Sequence, residues 1–266
     1  MRDFRLRAAI VLACLPVALG ASAAPENTVQ GTDPFQAFVE QLRSQALAQG
    51  VTPGTVNAIL PTLYFSQRVV DLDRAQPGGP PNSPIPKFAP YAAQHVDTAR
   101  IIRGRAKYQS LMPLLQRVES ETGVPEAIMV AIWGHETNYG AYTGDFDLAN
   151  SLATLAYEGR RRSLFTTEFI ATLKLIDAGY PREKLKGSWA GATGYPQFLP
   201  STYLRYGRDG DGDGRADIWS SEADALASIA KYFEASGWRR GQPWGVKAYV
   251  PDSLDRSQFE TRLAAS

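Results

Sequence analysis

Cysteine is the scarcest residue of this 266-residue chain: Cys14 is the only one, and it sits in the N-terminal segment. A disulfide framework is thereby excluded. Histidine is limited to His95 and His135, so a catalytic zinc site lacks the ligands it needs. Charge of one sign is lacking too. Lys plus Arg number 28 against 27 for Asp plus Glu, a net charge of +1, and no electrostatic surplus points to nucleic acid as a partner. The one apolar run, Ala8 to about Leu19, falls short of the roughly 20 residues that span a bilayer, so no transmembrane segment is expected in the mature chain.

That run follows Arg2, Arg5 and Arg7 and precedes Ala21-Ser22-Ala23, which reads as a cleavable secretory signal peptide over residues 1–23. Lipid modification of Cys14 is the alternative. It requires a cut after Ala13, which leaves only about six apolar residues where 7 to 15 are usual, and Leu12 is an unusual neighbour for such a site.

What remains is 44% hydrophobic, 21% charged and 11% aromatic over the whole chain, the balance of a globular protein. Phe35, Phe38, Val39 and Leu42 recur at helical spacing before Gly50, and Thr52-Pro53 restarts a helix. Residues 76 to 92 are dense in Pro and Gly, which predicts an extended connector. The expected organisation is an N-terminal helical region with this connector over 24–92, a main domain over 93–240, and a tail over 241–266. Within the main domain one long surface helix is predicted from His95 to about Glu121. A helix led by Pro125 and Glu126 follows, apolar nearly all round. Further helices are predicted over about 163–178 and 222–235, ended by Gly179 and Gly237. Short strand candidates lie near 140–147 and 245–250. The fold class is mainly α, with a minor sheet at most.

Glu136 lies near the end of the apolar helix. A carboxyl that is partly buried and near the negative end of a helix dipole resists ionisation, as an acid working near neutral pH must. A Glu turned outward into solvent at a helix end is the other reading of this helix alone.

The segment Ile132-Trp133-Gly134-His135-Glu136-Thr137-Asn138-Tyr139-Gly140 resembles the catalytic motif of the lytic murein transglycosylase B family. Leu185 to Ser201 is similar to that family's glycine-rich substrate loop, and Asp209 to Trp219 with the helix after it to its calcium loop. The resemblance runs from about Phe35 to Leu263. It implies an α+β lysozyme-like fold, a helical core around a glycan cleft, and cleavage of peptidoglycan between N-acetylmuramic acid and N-acetylglucosamine with a 1,6-anhydro ring as product. Glu136 would serve as acid and then base. Ser188 would help orient it, Tyr195 and Gln197 would line the cleft, and Tyr232 would lie near it. Arg161 and Arg162 match an arginine pair able to meet lactyl or stem-peptide carboxylates. On sequence grounds Tyr232 reads equally as core, and the arginines as a solvated charge run. With the export signal, that substrate implies a periplasmic protein associated with the wall, with other wall enzymes as possible partners.

Asp209, Asp211 and Asp213 stand at positions 1, 3 and 5 of a D-x-D-x-D-G loop, with Arg215 at position 7 offering a backbone carbonyl. This predicts one structural calcium ion; a flexible acidic turn is the other reading. Ser220 stands where an EF-hand has its closing Glu. By resemblance Asp224 closes a longer loop over 209–224, with Glu222 in reserve. No catalytic cofactor is expected. Asp145 and Asp147, the carboxylates next after Glu136 in the sequence, are turn formers, or, facing Glu136, the second group of a lysozyme-type hydrolase. Members of the family normally continue past the equivalent of Ser266 into a cleft-lining segment, so a non-catalytic wall-binding protein is the third reading.

Overall fold

The structure, a computed structural model, describes residues 33–76, 88–245 and 249. The expected signal peptide with Cys14, residues 77–87 of the connector, and the tail candidates at 246–248 and beyond 249 lie outside the described residues.

The first helices start where local chemistry dictates. In α1 (Pro34–Ala48) the Asp33 carboxylate accepts the Phe35 N–H at 3.0 Å and Pro34 opens the first turn, where a missing N–H costs nothing. Thr52 and Pro53 do the same for α2 (Pro53–Ile59). Then come α3 (Gln67–Arg74) and α4 (Phe88–His95), the latter starting inside the segment expected to be extended. The long surface helix predicted from His95 is instead two, α5 (Thr98–Ser110) and α6 (Met112–Thr122). Asp97 caps the first through the Arg100 N–H at 2.8 Å. Pro113 cannot continue a helix through its own position and so opens the second. Ile101 of α5 is 41% exposed.

Next is α7 (Glu126–Thr137), which carries Glu136; it buries Met129, Val130 and Trp133 while Ala131 faces solvent. A two-residue strand β1 (Phe146–Asp147) leads into α8 (Leu148–Glu158) and α9 (Arg162–Asp177). Strand β2 (Lys186–Gly187) pairs antiparallel with β1, Phe146 opposite Gly187 and Asp147 opposite Lys186. The last described helices are α10 (Pro200–Tyr206) and α11 (Glu222–Ala235), the latter capped by Ser221. The mainly helical class with a minimal sheet holds.

Two apolar clusters organise these elements. The first joins Phe35, Val39 and Leu42 of α1 to Leu148, Leu152 and Leu155 of α8 and to Phe165, Phe169 and Leu173 of α9. The second gathers Leu115 and Val118 of α6, Met129 and Trp133 of α7, and Leu226 and Ile229 of α11. Phe198 of the glycine-rich loop belongs to the first cluster, whereas Tyr195 packs against the second. That loop is the seam between them.

Candidate active site

The last turn of α7 sets the site. Asn138 and Tyr139 have φ of 51° and 61°, and Gly140 of 83°, so the chain reverses abruptly after Thr137 through a conformation that L side chains rarely adopt. Two glycines make room for it. A Cβ on Gly134 would lie 2.5 Å from the Tyr139 ring and one on Gly104 of α5 only 2.2 Å from its hydroxyl oxygen. Arg103 donates to Asn138 Oδ1 at 2.6 Å and holds the other left-handed residue. Gln197 (φ 51°) is, among the described residues, the only further non-glycine with positive φ. Backbone strain gathers at functional sites, and here it gathers around Glu136.

Buried Thr137 staples the helix end to the glycine-rich loop: its hydroxyl donates to the Tyr195 carbonyl at 2.9 Å and accepts the Gly140 N–H at 3.1 Å. The Tyr195 ring lies 5.7 Å from Trp133. From the loop, the Gln197 amide donates to the carbonyls of Thr143 at 3.1 Å and Gly194 at 3.0 Å, leaving its own Oε1 without a partner among the described residues. Gly144 approaches β2 so closely that a Cβ would sit 2.2 Å from the Gly187 carbonyl oxygen. Segments 137–144 and 187–198 therefore form one framework around Glu136.

Glu136 itself reaches solvent, as a group that meets a large substrate must. It makes no hydrogen bond or ion pair among the described residues. The protein packed around it pushes its carboxyl above the ordinary carboxylate range, while His135 pulls weakly the other way. Carbon-13 NMR titration of the Glu136 carboxyl is expected to give a midpoint above the ordinary value of about 4.3. His135→Gln removes the neighbour that favours the carboxylate, so the midpoint should move further up; a downward move would contradict this electrostatic picture.

The other expected residues are placed differently from one another. Tyr195 and Gln197 stand in the framework just described. Ser188 uses its hydroxyl oxygen to accept the Ala192 N–H at 3.0 Å, which braces the loop and leaves its proton free to donate; no bond joins it to Glu136. Tyr232 is 37% exposed and packs on Phe198 and Tyr206 at 5.6 and 5.4 Å, between core and surface. Arg161 is taken up elsewhere: with Arg160 it binds Asp73, which is 1% exposed, at 2.5 Å. Arg162 donates to the Tyr157 carbonyl and stacks on Phe38 at 5.0 Å. Nothing joins this pair to Glu136. Asp147 is likewise engaged, capping α8 through the Asn150 N–H at 2.9 Å and pairing with Arg182 at 2.8 Å. Sequence reasoning passed over Thr137, Asn138 and Gly144; the glycine-dense stretch around them was the available signal.

In the acidic loop, Asp209, Asp211 and Asp213 each bring one carboxylate oxygen within 4.8 Å of the others, a hard oxygen set suited to calcium. Asp209 also accepts the N–H groups of Gly212 and Gly214. Asp224 is fully buried and lies close enough to Asp211 to feel its charge, accepting the Gly210 N–H at 2.7 Å and the Asp217 N–H at 2.6 Å. Glu222 pairs with Lys107 at 2.5 Å. Arg117 donates to the Gly210 carbonyl, so the loop is bound to α6 and α11 together.

Comparison with known proteins agrees with this architecture. Membrane-bound lytic murein transglycosylase B of Escherichia coli (strain K12) is 34% identical over 194 residues, covering 70% of this chain and 54% of that protein. SltB3 from Pseudomonas aeruginosa, solved in complex with NAG-NAM-pentapeptide and with NAG-anhNAM-pentapeptide, superposes with a TM-score of 0.76 at 39% identity, covering 85% of this chain and 59% of that one. The Escherichia coli lytic transglycosylase SLT35 in complex with calcium gives a TM-score of 0.69 at 30% identity, covering 77% and 65%. The chain thus spans little more than half the length of the first two of these relatives. The family model described as Transglycosylase SLT domain matches residues 34–265, and with nearly all of its described length inside that match the chain belongs to the transglycosylase SLT domain family.

Proposed function

We propose that this protein is a lytic transglycosylase that cleaves the β-1,4 bond between N-acetylmuramic acid and N-acetylglucosamine of peptidoglycan, with Glu136 as its single acid and base. The observation that carries the reading is the placement of Glu136 at the end of α7, open to solvent beside the framework of segments 137–144 and 187–198 and without a hydrogen bond or ion pair among the described residues. Hydrolysis in the lysozyme manner uses a second carboxyl about 5 to 9.5 Å away, and Asp147 is engaged with Arg182 and the start of α8. One carboxyl suffices for the intramolecular route. Protonated Glu136 gives its proton to the departing glycosidic oxygen as the bond to C1 breaks. The resulting carboxylate takes the proton of the sugar's own C6 hydroxyl as that oxygen bonds to C1. A 1,6-anhydro ring closes, Glu136 is protonated again, and no water is consumed. The relative SltB3 was solved with NAG-NAM-pentapeptide and with NAG-anhNAM-pentapeptide, and the anhydro sugar of the second is the kind of end that such a step leaves.

In this reading Tyr195 and Gln197 line the cleft, Gln197 through its Oε1, which has no partner among the described residues; Ser188 supplies a hydroxyl donor, and Tyr232 a half-exposed ring for a sugar face. Arg161 and Arg162 act on the framework rather than on substrate, because Asp73 and Phe38 already hold them. Residues 1–23 direct export, placing the mature protein in the periplasm with the wall and its other enzymes; 93–240 form the catalytic part. Mass spectrometry of fragments released from purified peptidoglycan tests the reading. Products one water lighter than hydrolysed ones are expected, whereas hydrated reducing ends, or binding without release, would overturn it.

Calcium belongs to the same reading. Asp209, Asp211, Asp213 and the Arg215 carbonyl would hold the ion, with Asp224 fixing the loop backbone from beneath, and the ion's contribution would be structural. Saturating it at about 100 Kd stabilises by about 2.7 kcal/mol. Added calcium should therefore raise the melting temperature of chelator-treated protein, and Asp211→Ala should remove that rise; an unchanged melting temperature with calcium in the millimolar range would contradict the site.

A further inference from the structure

Four residues of α5 meet the end of α7 from one side. Arg100, Arg103, Gly104 and Lys107 stand at i, i+3, i+4 and i+7, the spacing that puts residues on one helical face. Each has its own contact with α7 or with the turn after it. The Arg100 carbonyl accepts the Tyr139 hydroxyl at 3.2 Å, and Arg103 directs Nε and Nη2 to Asn138 Oδ1 at 3.2 and 2.6 Å. Buried Gly104 leaves the space that the Tyr139 ring fills, and the Lys107 ammonium lies over the Trp133 ring at 5.4 Å. The turn after Glu136 is thus shaped from outside its own helix.

Asn138 is the point on which this arrangement turns. It is the first residue past α7, two positions after Glu136, and its φ of 51° sets the direction in which the chain leaves the helix. Asn tolerates the left-handed region better than most residues, but the region is not its resting conformation. On its outer side the turn borders an open cavity of about 560 Å³, lined also by Lys107, Ser110, Gly140 and Ala141, so packing does not hold that side. The Arg103 guanidinium holds it instead. A guanidinium only donates, so it selects the amide oxygen of Asn138, and two nitrogens on one oxygen fix the direction of the bond as well as its length. Arg103 itself is exposed, and a surface side chain off the core contributes little to folding. We propose that Arg103 is a positioning residue: through Asn138 it holds the chain where it leaves α7 and so keeps Glu136 aimed at the glycosidic oxygen. The reaction that this serves rests on the transglycosylase reading, whereas the tether does not.

Because a misplacement of about 1 Å can cost about 10²-fold in rate, Arg103→Ala should lower kcat on purified peptidoglycan about ten-fold, with KM within about two-fold of wild type. Its melting curve should match that of wild type. Arg103→Lys, which keeps one donor, should recover part of the rate. Asn138→Gly leaves a residue at ease with positive φ but removes the acceptor, so its loss should equal that of Arg103→Ala, and the double variant should lose no more than either alone. A purely structural part for Arg103 would lower the melting temperature and leave kcat unchanged. Apart from activity, the backbone NMR order parameters of Asn138 and Tyr139 should fall below the rigid value of about 0.85 in Arg103→Ala. An unchanged kcat, unchanged order parameters, or losses that multiply in the double variant would each overturn the proposal. If wild type releases no fragments, the transglycosylase reading fails, and the order parameters alone decide whether Arg103 holds the turn.

Discussion

Glu136→Gln is expected to lower the rate of fragment release from peptidoglycan by about 10³-fold or more, since one positioned acid or base contributes roughly 10²–10⁴ and this residue fills both roles. The amide has nearly the shape of the carboxyl and can still donate a hydrogen bond, but it cannot deliver a proton to the leaving oxygen or take one from the C6 hydroxyl. Because Glu136 makes no hydrogen bond or ion pair among the described residues, the substitution breaks nothing that holds the fold. Binding of insoluble wall material and the cooperative melting transition should both survive. Activity within ten-fold of wild type, measured as soluble muropeptide released per unit time, would remove Glu136 from its role.

Trp133→Ala should cost about 3–5 kcal/mol of folding stability, the range for truncating a large buried aromatic. The indole is fully buried, lies 5.5 Å from the Tyr139 ring and 5.7 Å from that of Tyr195, and carries the Lys107 ammonium over its face at 5.4 Å. It therefore supports the second apolar cluster, the left-handed turn after α7 and the glycine-rich loop at once. A melting temperature lower by about 10 °C follows for a protein of this size, together with lost activity, because Glu136 is one helical turn further along the same helix. A loss below about 1 kcal/mol in urea unfolding would mean that the cluster collapses around the gap and that the site does not depend on this ring.

Much of the site was legible because its chemistry is local. The Ile132 to Gly140 segment, the glycine-rich loop and the acidic loop each carry their pattern within a few residues, and Gly179 and Gly237 mark helix ends by backbone preference alone. What escaped depends on distant partners or lacks a period. Helix α8 is buried over most of its surface, so no amphipathic stripe announces it. The ribbon of β1 and β2 is two residues wide, too short for alternation to register. The split between α5 and α6 did have a signal in Pro113, outweighed by the apolar spacing on either side. The fate of Arg161 turns on Asp73, 88 residues earlier, which the arginine pair itself does not reveal.

The central claim is that the cleaved sugar closes on its own C6 oxygen instead of capturing water, and digestion of peptidoglycan in water enriched in oxygen-18 measures this directly. The account predicts muramic ends that carry no label, and loss of those products in Glu136→Gln. One heavy oxygen per cleaved bond would mean that water is the nucleophile, make the protein a hydrolase, and require a second activating group opposite Glu136.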